Sequence, residues 1–171
     1  MNRKRQMKGF TMVEVMVAII VIAIGLLGIA GLQLLAIRNT TGAGLRTIAT
    51  QLAYDITDRM RSNEQGVVGG FYSTNAAPSG TGPCYTTGCT PQQLAALDMQ
   101  SWLTRVQTLL PAGAAIVCQD STLPEAATSA APACDNVAGS PWMVKIFWTE
   151  LNDDVSPPAV QERVYITSFL P

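Results

Sequence analysis

Histidine is absent from this chain of 171 residues, so the side chain most often used as a general base or zinc ligand is missing. The four cysteines include no C-x-x-C pair, which argues against a zinc site and against a thioredoxin-like redox centre. No nucleophile–base pair or metal-ligand spacing stands out in the remaining sequence. We therefore expect no catalytic residues, no metal and no cofactor, although a membrane-anchored periplasmic enzyme is kept as an alternative.

Positive charge is scarce beyond the N-terminus. Four of the eleven Lys and Arg residues lie within the first eight positions: Arg3, Lys4, Arg5 and Lys8. From Phe10 onward, seven basic residues stand against twelve acidic ones. No basic stripe follows the leader, so a nucleic-acid partner is not expected.

Charge is nearly missing from residues 10–37, where Glu14 is the only ionisable side chain. The eighteen residues from Val15 to Leu32 contain no charged or polar side chain, which is long enough for a membrane span. Basic residues ahead of such a span favour a cytoplasmic leader and a translocated remainder. An acid beside or within a span is a functional-site hypothesis by default, which singles out Glu14.

The apolar segment is predicted to continue as one helix from about Thr11 to Arg61. Its second half is amphipathic, with apolar residues at three- and four-residue steps: Leu45, Ile48, Ala49, Leu52, Ala53, Ile56 and Met60. Glycines interrupt the first half at positions 25, 28 and 31. Two interpretations are compatible here, namely close helix packing through small residues and a weak segment that unwinds on assembly.

The remaining residues predict a small α+β head. Residues 66–90 are rich in Gly, Ser, Thr and Pro and predict a loop, and Thr90 then begins a helix that Pro111 ends. Trp102, on this helix, is expected to pack in the core or at its rim and not to serve as a ligand platform. A short strand is expected at 115–118, a loop at 121–141, and two alternating strands at 142–148 and 160–169 that pair antiparallel.

The cysteines are Cys84, Cys89, Cys118 and Cys134, all beyond the predicted span. An even number on the translocated side predicts two disulfides formed in an oxidising compartment. Four cysteines allow three connectivities. The pairing of Cys84 with Cys89 and of Cys118 with Cys134 closes the smallest loops.

The sequence from Lys8 to Glu14 reads K-G-F-T-M-V-E and precedes the apolar run instead of following it. A secretory signal peptide has the opposite order, with its cleavage site after the apolar core. A basic leader followed by G-F-T-x-x-E resembles the class III signal of type IV prepilins and pseudopilins. The resemblance implies cleavage between Gly9 and Phe10 by a prepilin peptidase, N-methylation of Phe10, and a role for Glu14 in assembly.

Within that superfamily the chain resembles the type IV pilus modification protein PilV family of minor pilins. The similarity lies in residues 23–33, in Leu52-Ala53-Tyr54-Asp55 and in residues 58–63. It implies a structural subunit that helps to initiate pilus assembly and so supports adhesion and twitching motility. A minor pseudopilin of a type II secretion system is the alternative, because its N-terminal sequence is nearly the same.

The resemblance also implies an organisation and a set of partners. Four segments are expected: a leader at 1–9, a transmembrane half of the helix at 10–37, a periplasmic half at 38–63 and a head at 64–171. The protein would first sit in the inner membrane, with its head in the periplasm, and then enter the pilus. Its partners would be the prepilin peptidase, the inner-membrane assembly platform, and other minor and major pilins.

Overall fold

The structure is a computed structural model that describes residues 9–74, 84, 88–122, 127–152 and 157–170. The predicted leader therefore lies outside the described residues, except for Gly9. The elements, in chain order, are α1 (Met12–Ser62), α2 (Glu64–Val68), α3 (Pro91–Leu109), β1 (Ala114–Gln119), β2 (Trp142–Asn152) and β3 (Ala159–Phe169). This composition, a long N-terminal helix followed by a further helix and an antiparallel sheet, confirms the predicted α+β fold.

The chain divides into two compact units between Gly42 and Ala43. In the first unit the apolar side chains of α1 are exposed, and Leu27 is 74% exposed. Among the described residues, α1 is the one helix long and apolar enough to cross a membrane. The mean hydropathy of its most apolar window is 2.9, and none of that window is buried. A surface of this kind requires lipid or another protein around it.

In the second unit one stripe of α1 is buried, as the amphipathic pattern predicts. Its buried apolar residues are Ala49, Leu52, Ala53, Ile56 and Met60. The opposite side of the helix is exposed to solvent at Tyr54, which is 58% exposed. The stripe contributes to a single hydrophobic core together with α3 and the sheet.

Helix α3 begins where its sequence signal places it. The side chain of Thr90 accepts a hydrogen bond from the backbone N–H of Gln93, whose own side chain accepts one from the Thr90 N–H. This capping box satisfies two backbone donors that would otherwise lack partners. Trp102 is fully buried, so it packs in the core and not at its rim, and its indole N–H donates to the Leu52 carbonyl of α1 at 2.8 Å.

The three strands form an antiparallel sheet in the order β1-β2-β3. Strand β2 pairs with β3 in a register that places Ile146 opposite Tyr165 and Trp148 opposite Arg163. The predicted antiparallel pairing of the last two strands is confirmed. One face of β2 enters the core through its alternate residues Trp142, Val144, Ile146 and Trp148.

The other face of β2 is also buried, which the alternating pattern does not predict. Met143, Lys145 and Phe147 are each at most 5% exposed. The chain after β1 covers part of this face, because Lys145 Nζ donates to the carbonyls of Pro132 and Ala133. Residues 132 and 133 of the predicted loop thus cover part of the sheet.

One short helix departs from the prediction. The segment 66–90 was expected to be a loop, but α2 includes its first three residues. Asn63 caps this helix by accepting a hydrogen bond from Gly66 N–H, and a Cβ at Gly66 would collide with the Asn63 side chain. A helix of five residues has no hydrophobic period to detect, so composition alone favoured a loop. Much of the rest of the predicted loop lies outside the described residues.

Candidate functional site

The predicted cleavage junction lies immediately before α1. Gly9 and Phe10 are both exposed and non-helical, and the side chain of Phe10 is 83% exposed. Exposed backbone outside regular structure is where proteolytic cleavage most often occurs. The two residues of the predicted junction therefore lie on accessible backbone ahead of α1.

Thr11 occupies the N-cap of α1, a position that our sequence analysis did not single out. The backbone N–H of Glu14 donates to the Thr11 side-chain oxygen at 3.3 Å and to its carbonyl at 3.1 Å. Thr11 and Glu14 have the T-x-x-E spacing of a capping box, with Glu14 at the third helical position. That signal is visible in the sequence, so Thr11 was detectable as the residue that begins the helix.

The surroundings of Glu14 are apolar and exposed. Val13 is 69% exposed, Val15 is 49% exposed and Met16 is 63% exposed. The carboxylate lies in the first turn, where the positive end of the helix dipole favours a negative charge. Once lipid or neighbouring chains cover this surface, the dielectric falls and a cationic partner becomes worth much more. The predicted residues Gly9 and Phe10 precede α1, and Glu14 lies in its first turn.

Two disulfides lie in the second unit. Cys84 is bonded to Cys89 and Cys118 to Cys134, five and sixteen residues apart in sequence. This is the connectivity with the smallest loops. The second bridge ties the end of β1 to the segment that covers the outer face of the sheet.

A buried ion pair accompanies that bridge. Lys145 Nζ lies 2.6 Å from Asp120 Oδ2, and neither side chain has any exposed surface. Burial alone would raise the pKa of Asp120, but hydrogen bonds from Lys145 and Thr122, with the charge of Lys145, hold that pKa below its usual value. Neither residue was identified from the sequence, because each is an isolated charge whose partner lies 25 positions away.

A second polar network joins α1 to α3. Arg59 Nη1 donates to Asp98 Oδ1 at 3.1 Å, and the Tyr72 hydroxyl donates to Asp98 Oδ2 at 2.7 Å. Asn63 in turn donates to the Tyr72 hydroxyl. Burial, followed by the hydrogen bond to Asp98, raises the pKa of Tyr72, so the hydroxyl keeps its proton and serves as a donor. This network fixes the end of α1 to the helix that follows.

Metal-binding geometry is not found in the described part of the chain, which contains no group of three acidic or cysteine side chains placed to hold an ion. The chemistry that the described residues offer is therefore of two kinds. One is the predicted processing and assembly signal at residues 9–14. The other is a disulfide-braced head.

Comparison with protein families gives two adjoining matches. Residues 4–30 match the prokaryotic N-terminal methylation motif, and residues 31–100 match the family described as type IV pilin Tt1218. No curated protein and no solved structure matches the chain significantly. The two family matches cover the junction, α1, α2 and the first half of α3.

These matches and the architecture define a membrane-anchored structural subunit. The chain is a type IV pilin that carries a class III signal. The motif implies processing by a prepilin peptidase, and the family implies assembly with other pilins. Type IV pilins are structural proteins and not a family of enzymes.

Proposed function

We propose that this pilin is a minor pilin of the PilV type, which joins other minor pilins in the complex that initiates pilus assembly. It would thereby support adhesion and twitching motility. The supporting observation is the character of the apolar half of α1. Major pilins commonly carry proline where this chain has Gly31, and α1 runs as a helix through Gly31. This departure disfavours a role as the bulk subunit.

The N-terminal residues would act in sequence. Cleavage between Gly9 and Phe10 creates a new α-amino group, which is cationic, and N-methylation of Phe10 leaves the nitrogen able to carry that charge. The Phe10 ammonium of a neighbouring subunit would then pair with the Glu14 carboxylate of this one. In a low-dielectric filament core an unpaired carboxylate is costly, so this pairing would favour one subunit position over others.

The same reasoning gives an orientation and an organisation. Residues 1–9 would form a cytoplasmic leader, 10–37 the membrane-spanning half of the helix, 38–63 its periplasmic half and 64–171 a periplasmic head. Disulfides between Cys84 and Cys89 and between Cys118 and Cys134 agree with an oxidising periplasm. After extraction from the inner membrane the protein would reside in the pilus at the cell surface.

The proposed partners follow from this route. The prepilin peptidase would process the chain, the inner-membrane assembly platform would receive it, and minor and major pilins would surround it. We propose no enzymatic activity, no cofactor and no nucleic-acid partner. An anchored periplasmic enzyme would be recognised by turnover of a substrate by the purified protein, which this proposal does not expect.

Deletion of the chain in its own host tests the proposal. A priming minor pilin should be required for normal piliation and twitching, and should be far less abundant than the major pilin in sheared filaments. Re-expression of the wild-type chain should restore both properties. If pili stay normal while export of secreted proteins fails, the chain is instead a minor pseudopilin of a type II secretion system, which shares the same N-terminal signal.

A further inference from the structure

A small cavity lies in the head at the point where β1 ends and β2 begins. Its volume is about 300 Å³, and it is lined by Gly70, Ser73, Gln119, Asn136 and Trp142. This volume is at the lower end of the range of small-molecule sites, which run from about 300 to 1,000 Å³. A cavity of this size fits one ring in preference to an extended chain.

The walls of the cavity are held in place covalently and by hydrogen bonds. Gln119 directly follows Cys118 and Asn136 lies two residues beyond Cys134, so the disulfide tethers the two segments that carry the amides. Asn136 N–H also donates to the Gln119 carbonyl at 3.0 Å. When the walls are already fixed, binding a ligand costs less conformational entropy of the protein.

Several polar side-chain atoms of the lining residues have no hydrogen-bond partner among the residues that the structure describes. Across the part of the chain that the structure describes, no hydrogen bond is made by Ser73 Oγ, Gln119 Oε1, Asn136 Oδ1 or Trp142 Nε1. The amide nitrogens of Gln119 and Asn136 make only long contacts, at 3.4 and 3.5 Å. Donors and acceptors are therefore both available to a ligand.

The chemistry of the lining limits the class of ligand. None of the five lining residues that the structure describes is ionisable, so these residues offer no counter-charge to an anion or a cation. Amides and a hydroxyl match the paired donor and acceptor character of a sugar hydroxyl, while the indole of Trp142 adds an apolar surface and one N–H donor. We propose that this cavity binds a single neutral pyranose ring, either free or as part of a glycan. The inference is independent of the role in pilus priming.

Binding can be measured on the full-length protein in lauryldimethylamine oxide, since a maltoside detergent would itself present sugar. The probes are the methyl glycosides of glucose, mannose and galactose, and N-acetylglucosamine, observed by saturation-transfer difference NMR and by tryptophan fluorescence. At least one probe should show saturation transfer from the protein. Its dissociation constant should be in the millimolar range or below.

Two variants then test the site. Asn136→Gly removes one amide and suits the positive φ of 53° at this position, and Gln119→Ala removes the other. Each should weaken binding by about tenfold, equivalent to the loss of one good hydrogen bond. The exposed Gln107→Ala is the matched control and should bind as the wild type does.

Two results would overturn the proposal. One is the absence of saturation transfer from the protein to every probe, and the other is equal sugar binding by all three variants. The proposal would also be wrong if no sugar binds and the two cavity variants lose their cross-links to other pilins. In that case a neighbouring pilin occupies the cavity.

Discussion

Lys145 and Asp120 form an ion pair of 2.6 Å in which neither side chain reaches solvent. The lysine comes from the middle strand of the sheet, and the aspartate directly follows β1. The same ammonium donates to two carbonyls of the covering segment, so all three of its donors are used. Lys145 therefore connects the sheet to the disulfide-closed segment that covers it.

Replacing Lys145 with methionine should destabilise the head by about 3–5 kcal/mol, because Asp120 would be left buried without its cation. Thermal or denaturant unfolding of the full-length protein in detergent measures this change. The double variant Lys145→Met with Asp120→Leu should recover part of the loss, since no unpaired charge remains. If the double variant loses as much free energy of unfolding as the two single variants together, Lys145 and Asp120 are not coupled.

The ion pair also predicts a pH dependence. The pKa of Asp120 is lowered in the folded protein, so the unfolded chain takes up the proton more readily. The stabilisation is complete above the unfolded value of about 3.9 and is lost as the pH falls through the folded pKa. Unfolding followed from pH 6 to pH 2 should show a steeper loss of stability in the wild type than in Asp120→Asn. Asp58→Asn, an exposed acid with the same charge change, is the control and should retain the steeper loss.

Tyr72→Phe should cost about 1–3 kcal/mol, because Asp98 loses a buried donor and Asn63 loses an acceptor. Tyr72 has no exposed surface, whereas Tyr54 is 58% exposed. The same substitution at Tyr54 is a matched control and should change stability by less than about 0.5 kcal/mol. Equal effects at the two positions would mean that the network between α1 and α3 contributes nothing to stability.

The elements of this fold were largely predictable because their signals are local. The capping box at Thr90, the amphipathic stripe on α1 and the aromatic and β-branched residues of β2 each lie within a single segment. The buried charges were not predictable, because their partners lie far away in the sequence. Lys145 on an alternating strand has the pattern of a solvated residue, and only a partner 25 residues away allows its burial. At the N-terminus the prepilin motif predicted roles for Gly9, Phe10 and Glu14. The T-x-x-E spacing also made Thr11 detectable as the N-cap, and its hydrogen bonds show that role.

Glu14→Gln should leave membrane insertion intact and reduce incorporation into filaments. Glutamine is less costly than a carboxylate in lipid, so the anchor should insert at least as well. The loss would then come from the missing partner for a neighbouring Phe10 ammonium. Two quantities are compared: the abundance of the variant in the inner membrane, and its amount in sheared filaments or in cross-links to other pilins.

Glu64→Gln is the control for this experiment, because it makes the same change at an exposed acid in the second unit. It should assemble as the wild type does. Wild-type assembly of Glu14→Gln would show that this carboxylate has no role in the filament.

The mature N-terminus provides the most direct test of the whole account. Intact-mass and peptide analysis of the chain from sheared filaments should find an N-methylated Phe10 as the first residue. Gly9→Val should retain the leader and be missing from the filaments, because a branched side chain would crowd the peptidase site. An N-terminus located beyond Leu32, with the apolar run removed, would contradict the account and show a secreted protein in place of an anchored pilin.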